Sequence, residues 1–160
     1  MENEQIEYAG FWIRFIAYII DSVIISFLEF LIVLPLLGFL GYKVDILNTV
    51  SELQDADAEL LIPVIASAVV GLGLSVLLIT WFYYALLQSG PRQATVGKMT
   101  LNLKVTDANG DRLTFARASL RYFSKILSSF FLMLGYIMAG FTPKKQALHD
   151  IIANTYVIRK

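Results

Sequence analysis

The sequence predicts a mainly α-helical membrane protein. It should have two full transmembrane helices, a third helical segment that is broken or re-entrant unless it crosses fully, and a small cytoplasmic β-hairpin. Three observations carry this prediction. The 160 residues are 57% hydrophobic and only 16% charged, with a mean hydropathy of +0.65. Two apolar runs, 11–37 and 61–87, are long enough to cross a bilayer. After the second run, residues 99–106 alternate with a period of two, the spacing of a strand and not of a helix.

The first run organises the rest. It is apolar except for Arg14, Asp21 and Glu29. A charge at the bilayer centre costs about 2.5–3.5 kcal/mol even on insertion scales, so such residues persist where they face protein and find partners. Arg14 and Asp21 are seven residues apart, nearly two helical turns, and so share a face at a spacing of about 10 Å. That is too far for an ion pair within one helix, and each is expected to meet another segment. Arg14 can also snorkel to the headgroup level, whereas Asp21 is too short to do so. Trp12 and Tyr18 sit near the start of this span, as interfacial aromatics do, while Pro35 and Gly38 are expected to loosen its far end.

Residues 40–60 hold one cation, Lys43, and five acids: Asp45, Glu52, Asp55, Asp57 and Glu59. They read as a solvated acidic loop. The second run, 60–87, has no charge, and Gly71 and Gly73 allow close helix approach. Trp81 to Tyr84 form an aromatic belt at its exit, and Gly90-Pro91 stops it. In the strand-like stretch, Asp107-Ala108-Asn109-Gly110 signals a hairpin turn, with Arg112–Phe115 as the return strand. Gly97-Lys98 lacks the rest of a phosphate-loop pattern. Further on, Arg117, Arg121 and Lys125 recur every four residues as a basic stripe suited to an anionic membrane surface. The uncharged residues 126–141 that follow are short for a crossing, and Ser128-Ser129 and Gly135 can break them. The tail becomes strand-like at 155–158, which should pair near residues 101–105, since a lone two-stranded hairpin is marginal.

Composition also excludes classes. The net charge is zero and there is no cysteine, which argues against nucleic-acid binding and rules out cysteine-based redox or metal chemistry. His149 stands beside Asp150 with no nucleophile or metal-ligand set at suitable spacing, so no enzyme activity, cofactor or metal is expected. The acidic N-terminus lacks the basic region of a signal peptide, so the first span should be retained. Lys and Arg number seven in 88–125, one in 40–60 and four in 142–160. The positive-inside rule then places the N-terminus, the hairpin (about 97–115) and the tail (142–160) in the cytoplasm, with the third membrane segment (about 120–141) re-entering. The chain, 1–160, reads as one multi-pass domain.

Together these residues resemble the RDD family of bacterial membrane proteins. The resemblance rests on Arg14 and Asp21 in the first span; on Thr95, Gly97, Lys98, Leu103 and Val105; on Arg121; and on Leu148, His149, Asp150, Thr155 and Val157 at the end. The family is named for one arginine and two aspartates, matched here by Arg14, Asp21 and Asp150. Asn154 stands where a glycine is common, and Glu29 is outside the signature. The resemblance implies a bacterial cytoplasmic-membrane protein of poorly defined role, some members being linked to monovalent cation/proton antiport and others to membrane enzymes as partners. Two readings follow. In the first, an oligomer exchanges monovalent cations for protons at Asp21, with Glu29 and His149 as secondary candidates. In the second, a regulatory or scaffold subunit binds another membrane protein, with Arg14 and Asp150 stapling the tail to the first helix.

Overall fold

The computed structural model describes residues 7–44, 58–130 and 134–160. Helices α1 (Phe11–Val44) and α2 (Ala58–Ser89) are the two long apolar elements. Each contains a stretch long and apolar enough to cross a membrane, Phe11–Phe39 and Ala66–Ser89. Trp12, Phe27, Phe30, Val69, Val70 and Leu74 are all exposed on them, an apolar surface that water would not tolerate and lipid does. Helix α1 does not loosen at Pro35 but continues through it to Val44. Where no water competes for the backbone, one missing N–H is more easily absorbed than a broken helix. Of the expected acidic loop, 45–57 lie outside the described residues, and its two ends are drawn into the helices.

The chain divides into two units, one made of Ile25–Thr80 and the other of Met1–Ile24 with Trp81–Lys160. In the first of these, the Thr80 hydroxyl lies within donating distance of Glu29, at 3.1 Å, and of the Val76 carbonyl, at 2.8 Å. The other unit holds a small core of Ala9, Ala17, Ala85, Leu103, Val105, Leu113, Ala118 and Val157. A short helix α3 (Val96–Thr100) leads into strand β1 (Leu103–Asp107), and α4 (Phe115–Phe130) follows. Then come α5 (Leu134–Ile137), a 3-10 turn (Met138–Gly140), α6 (Leu148–Ile152) and strand β2 (Thr155–Arg159).

The sheet corrects the expected hairpin. The turn at Asp107–Gly110 forms, with the Asp107 carboxylate accepting the N–H groups of Asn109 and Asp111, both at 2.9 Å. The chain then leaves the sheet, and residues 111–114 form no return strand. Strand β1 pairs instead with β2, antiparallel, with Val105 opposite Val157. The tail supplies alternating buried Thr155 and Val157, whereas only Leu113 of the proposed return segment is buried. The strand also starts later than the alternation suggests, because residues 96–100 are helical and Asn102 turns the chain at φ 54°. On its other edge β2 receives the N-terminal segment: the Ala9 N–H donates to the Val157 carbonyl at 2.9 Å, and the Arg159 N–H to the Glu7 carbonyl at 3.0 Å.

Helix α4 is inverted relative to a soluble amphipathic helix. Ala118, Arg121, Ser124 and Ser128 are buried, while Leu120, Phe123, Ile126 and Leu127 are exposed. Within the third segment the described helical residues are 115–130, 134–137 and 138–140, and α4 at 16 residues reaches about 24 Å. Gly135 lies so close to α4 that a Cβ there would stand 2.9 Å from the Ser128 Cα.

Candidate functional site

Asp150 sits in the first turn of α6, fully buried, and its carboxylate accepts the Ala147 N–H at 3.1 Å, the position an acid favours at a helix start. Two arginines from distant segments converge on it. Arg14 of α1 donates to one oxygen. Arg121 of α4 approaches the other through Nε, at 2.9 Å, and through a terminal nitrogen. Each arginine also makes further bonds. Arg14 reaches the Ala9 carbonyl at 2.9 Å and the Lys145 carbonyl at 2.6 Å, and Arg121 reaches the Gln88 side-chain oxygen of α2 at 2.6 Å. Burial alone would raise the Asp150 pKa, but Arg121 and Arg14 outweigh it and hold the carboxyl well below the usual range.

His149 lies 3.5 Å from Asp150 through Nε2, and its Nδ1 lies 3.4 Å from the Ser128 hydroxyl. Its burial, aided by Arg121 and Lys125 and opposed by Asp150, pushes the imidazole well below its ordinary pKa. It adds a packed, weakly hydrogen-bonded ring to the cluster.

Asp21 is a separate junction. It is 1% exposed and accepts three hydrogen bonds: from the Thr95 hydroxyl at 2.6 Å, the Gly97 N–H at 2.7 Å and the Tyr83 hydroxyl at 2.8 Å. It thereby ties α1 to α2 and to the start of α3. Gly97 is required here, because a Cβ would collide with the Ala17 carbonyl and stand 2.9 Å from the Asp21 carboxyl carbon. A carboxylate offers about four acceptor positions, and three are taken by neutral donors.

Arg14 and Asp150 therefore meet directly, and Asp21 is held by other partners. Glu29 belongs to the Ile25–Thr80 unit. The basic stripe does not stand together at a surface. Arg121 is 2% exposed and turned into the site, and Arg117 pairs with Asp107 at 3.1 Å. The Lys125 ammonium lies 3.6 Å from the centre of the Tyr84 ring. The reason is the company Arg121 keeps: small Ala118, Ser124 and Ser128 share its face and allow close packing, whereas bulky apolar residues occupy the opposite one. That run of small residues is a sequence signal that the four-residue charge spacing obscures. Gln88, Thr95, Gly97 and Tyr83 were not singled out as partners by their spacing.

Two apolar spans, with a charged cluster that gathers an arginine near one end of the chain and an aspartate near the other, define a small integral membrane protein. The chain belongs to the RDD family, whose model matches residues 8–154. It is 37% identical over 153 residues to "Uncharacterized protein YxaI" of Bacillus subtilis (strain 168), covering 95% of this chain and 97% of that one. It is 31% identical over 159 residues to "Uncharacterized membrane protein YteJ" of the same organism, covering 96% of this chain and 82% of that one. No solved structure matches the chain at a significant level. Asn154 adopts φ 50°, a left-handed conformation that glycine takes freely and asparagine tolerates.

Proposed function

We propose that this protein is a non-catalytic regulatory or scaffold subunit of the bacterial cytoplasmic membrane, with a membrane protein as its partner. One observation carries the choice over cation/proton exchange: the three hydrogen bonds that close around Asp21. A cation could reach only the one acceptor position these donors leave open, and binding there would compete with the contacts that hold α3 to α1. Asp150 is no freer, since a proton there would leave two guanidiniums, that of Arg121 buried, without their counter-charge. Both acids thus serve better as staples than as exchange sites. The outward apolar faces of α1 and α2 offer the contact surface that a membrane-embedded partner needs.

The test is a flux assay. Purified protein in proteoliposomes should show no Na⁺- or K⁺-dependent proton movement above protein-free vesicles. Asp21→Asn should lower the melting temperature in detergent, because a neutral amide cannot accept all three bonds with equal strength. A robust pH-linked flux that Asp21→Asn abolishes while leaving the melting temperature intact would return the function to exchange.

A further inference from the structure

A cavity of about 250 Å³ lies beside the cluster, lined by Arg14, Lys98, Arg121 and Lys125 against a single acid, Asp21. The arginines are committed to Asp150, as described above. Two other polar groups lining the cavity are not committed. Lys98 is 7% exposed, yet among the described residues its ammonium takes part in no hydrogen bond or ion pair. The Tyr84 hydroxyl is fully buried and has no hydrogen-bond partner among the described residues. A buried amine or hydroxyl without an acceptor is costly, and both groups are donors facing the same space. Apart from His149 and Tyr136, the rest of the lining is largely apolar and includes Phe15, Tyr18 and Ile137, which are themselves well exposed. Phe15 and Tyr18 belong to the α1 stretch that can cross the membrane, so the cavity is reached along a lipid-facing surface.

We infer that this cavity binds the anionic, phosphate-type headgroup of a membrane amphiphile, with Lys98 and Tyr84 as its donors and the acyl chain leaving past Phe15 and Tyr18. Charge complementarity selects the oxyanion, and the apolar rim selects an amphiphile over a free ion. The volume is slightly below that of pockets for drug-sized ligands, which suits a headgroup and not a whole lipid. Burial, with repulsion from Arg121 and Lys125, pushes the Lys98 ammonium well below lysine's ordinary pKa, and Asp21 and Asp150 offset this only in part. A bound anion would supply the missing counter-charge. The inference goes beyond the subunit reading and does not depend on which partner that subunit has.

The full chain can be tested in nanodiscs of phosphatidylcholine titrated with phosphatidic acid, with binding followed by thermal stability. Wild type should gain melting temperature in a saturable way. Tyr84→Phe removes one oxygen and no internal bond, so it should fold normally and require roughly tenfold more phosphatidic acid, the factor expected for one hydrogen bond to a charged group. Lys98→Met removes a buried charge and should fold at least as well, with the response abolished. Inorganic phosphate added to phosphatidylcholine discs should have no effect. Equal titrations for wild type and both variants would overturn the proposal, and so would full stabilisation by inorganic phosphate alone, which would make the ligand a free oxyanion.

Discussion

Asp150 serves two arginines, and this makes the cluster unequal under mutation. Removing the carboxylate leaves Arg14 and Arg121 facing each other, one of them almost wholly buried, with no counter-charge. A broken buried pair costs about 3–5 kcal/mol, and Asp150→Ala should fall at the upper end of that range. Arg14→Ala is milder, because Asp150 retains Arg121 and the Ala147 N–H. Its loss should be about 1.5–3 kcal/mol, the worth of hydrogen bonds to a charged group. The double variant should be little worse than Asp150→Ala alone. Melting temperatures in detergent would check this order, and additive single effects would refute the shared cluster. The meeting of Arg14 and Asp150 was legible because a charge in an apolar helix must find a partner and the tail had to return to the same end. Arg121 was hidden because its four-residue spacing with Arg117 and Lys125 is also the spacing of a solvated stripe. Only its small neighbours distinguish the two.

At the level of elements, the tightest junction is where α3 meets α1. Gly97 presents its N–H to Asp21, and the space its side chain would need is filled by backbone of α1. A carbonyl cannot rotate aside as a flexible side chain can. Gly97→Ala should therefore separate the two elements and weaken all three bonds to Asp21. Overpacking typically costs 1–3 kcal/mol, and here the lost hydrogen bonds add to it, so we expect a loss of about 3 kcal/mol or more. Gly110→Ala is the control: nothing lies within 4 Å of its Cβ position, and only its positive φ resists the change. Near-equal melting temperatures for the two would remove the close approach from the account. The long helices were legible from hydropathy alone. The sheet was legible only in part. Alternation identified β1, and β-branched residues identified β2, but the Asn109-Gly110 turn suggested a local return that the chain does not make. Turn chemistry sets the bend, whereas pairing goes to the segment with more apolar surface to bury, here 48 residues further along than Asp107.

For the whole molecule, the small sheet limits how the chain can lie in a membrane. Strand β1 follows α2, β2 ends the chain, and residues 7–9 precede α1, yet all three are joined by backbone hydrogen bonds. Strands cannot pair across a bilayer, so the three must share one side. Two crossings, by α1 and α2, would satisfy this, as a third full crossing would not. The exposed Leu120, Phe123, Ile126 and Leu127 of α4 suit a helix lying in the interface with its apolar face toward the acyl region. The excess of Lys and Arg in 88–125 favours the cytoplasm for that shared side. The chain has no cysteine, so single cysteines at Glu4, Asp55, Asn109 and Lys160 give a clean background for an impermeant thiol reagent. In intact bacterial cells only position 55 should react, and the other three should react after permeabilisation. Reaction at 4, 109 and 160 but not at 55 would invert the orientation and keep the sheet. Reaction at 160 without reaction at 109 would place β1 and β2 on opposite sides, which their pairing forbids, and both the re-entrant third segment and the sheet that requires it would have to be abandoned.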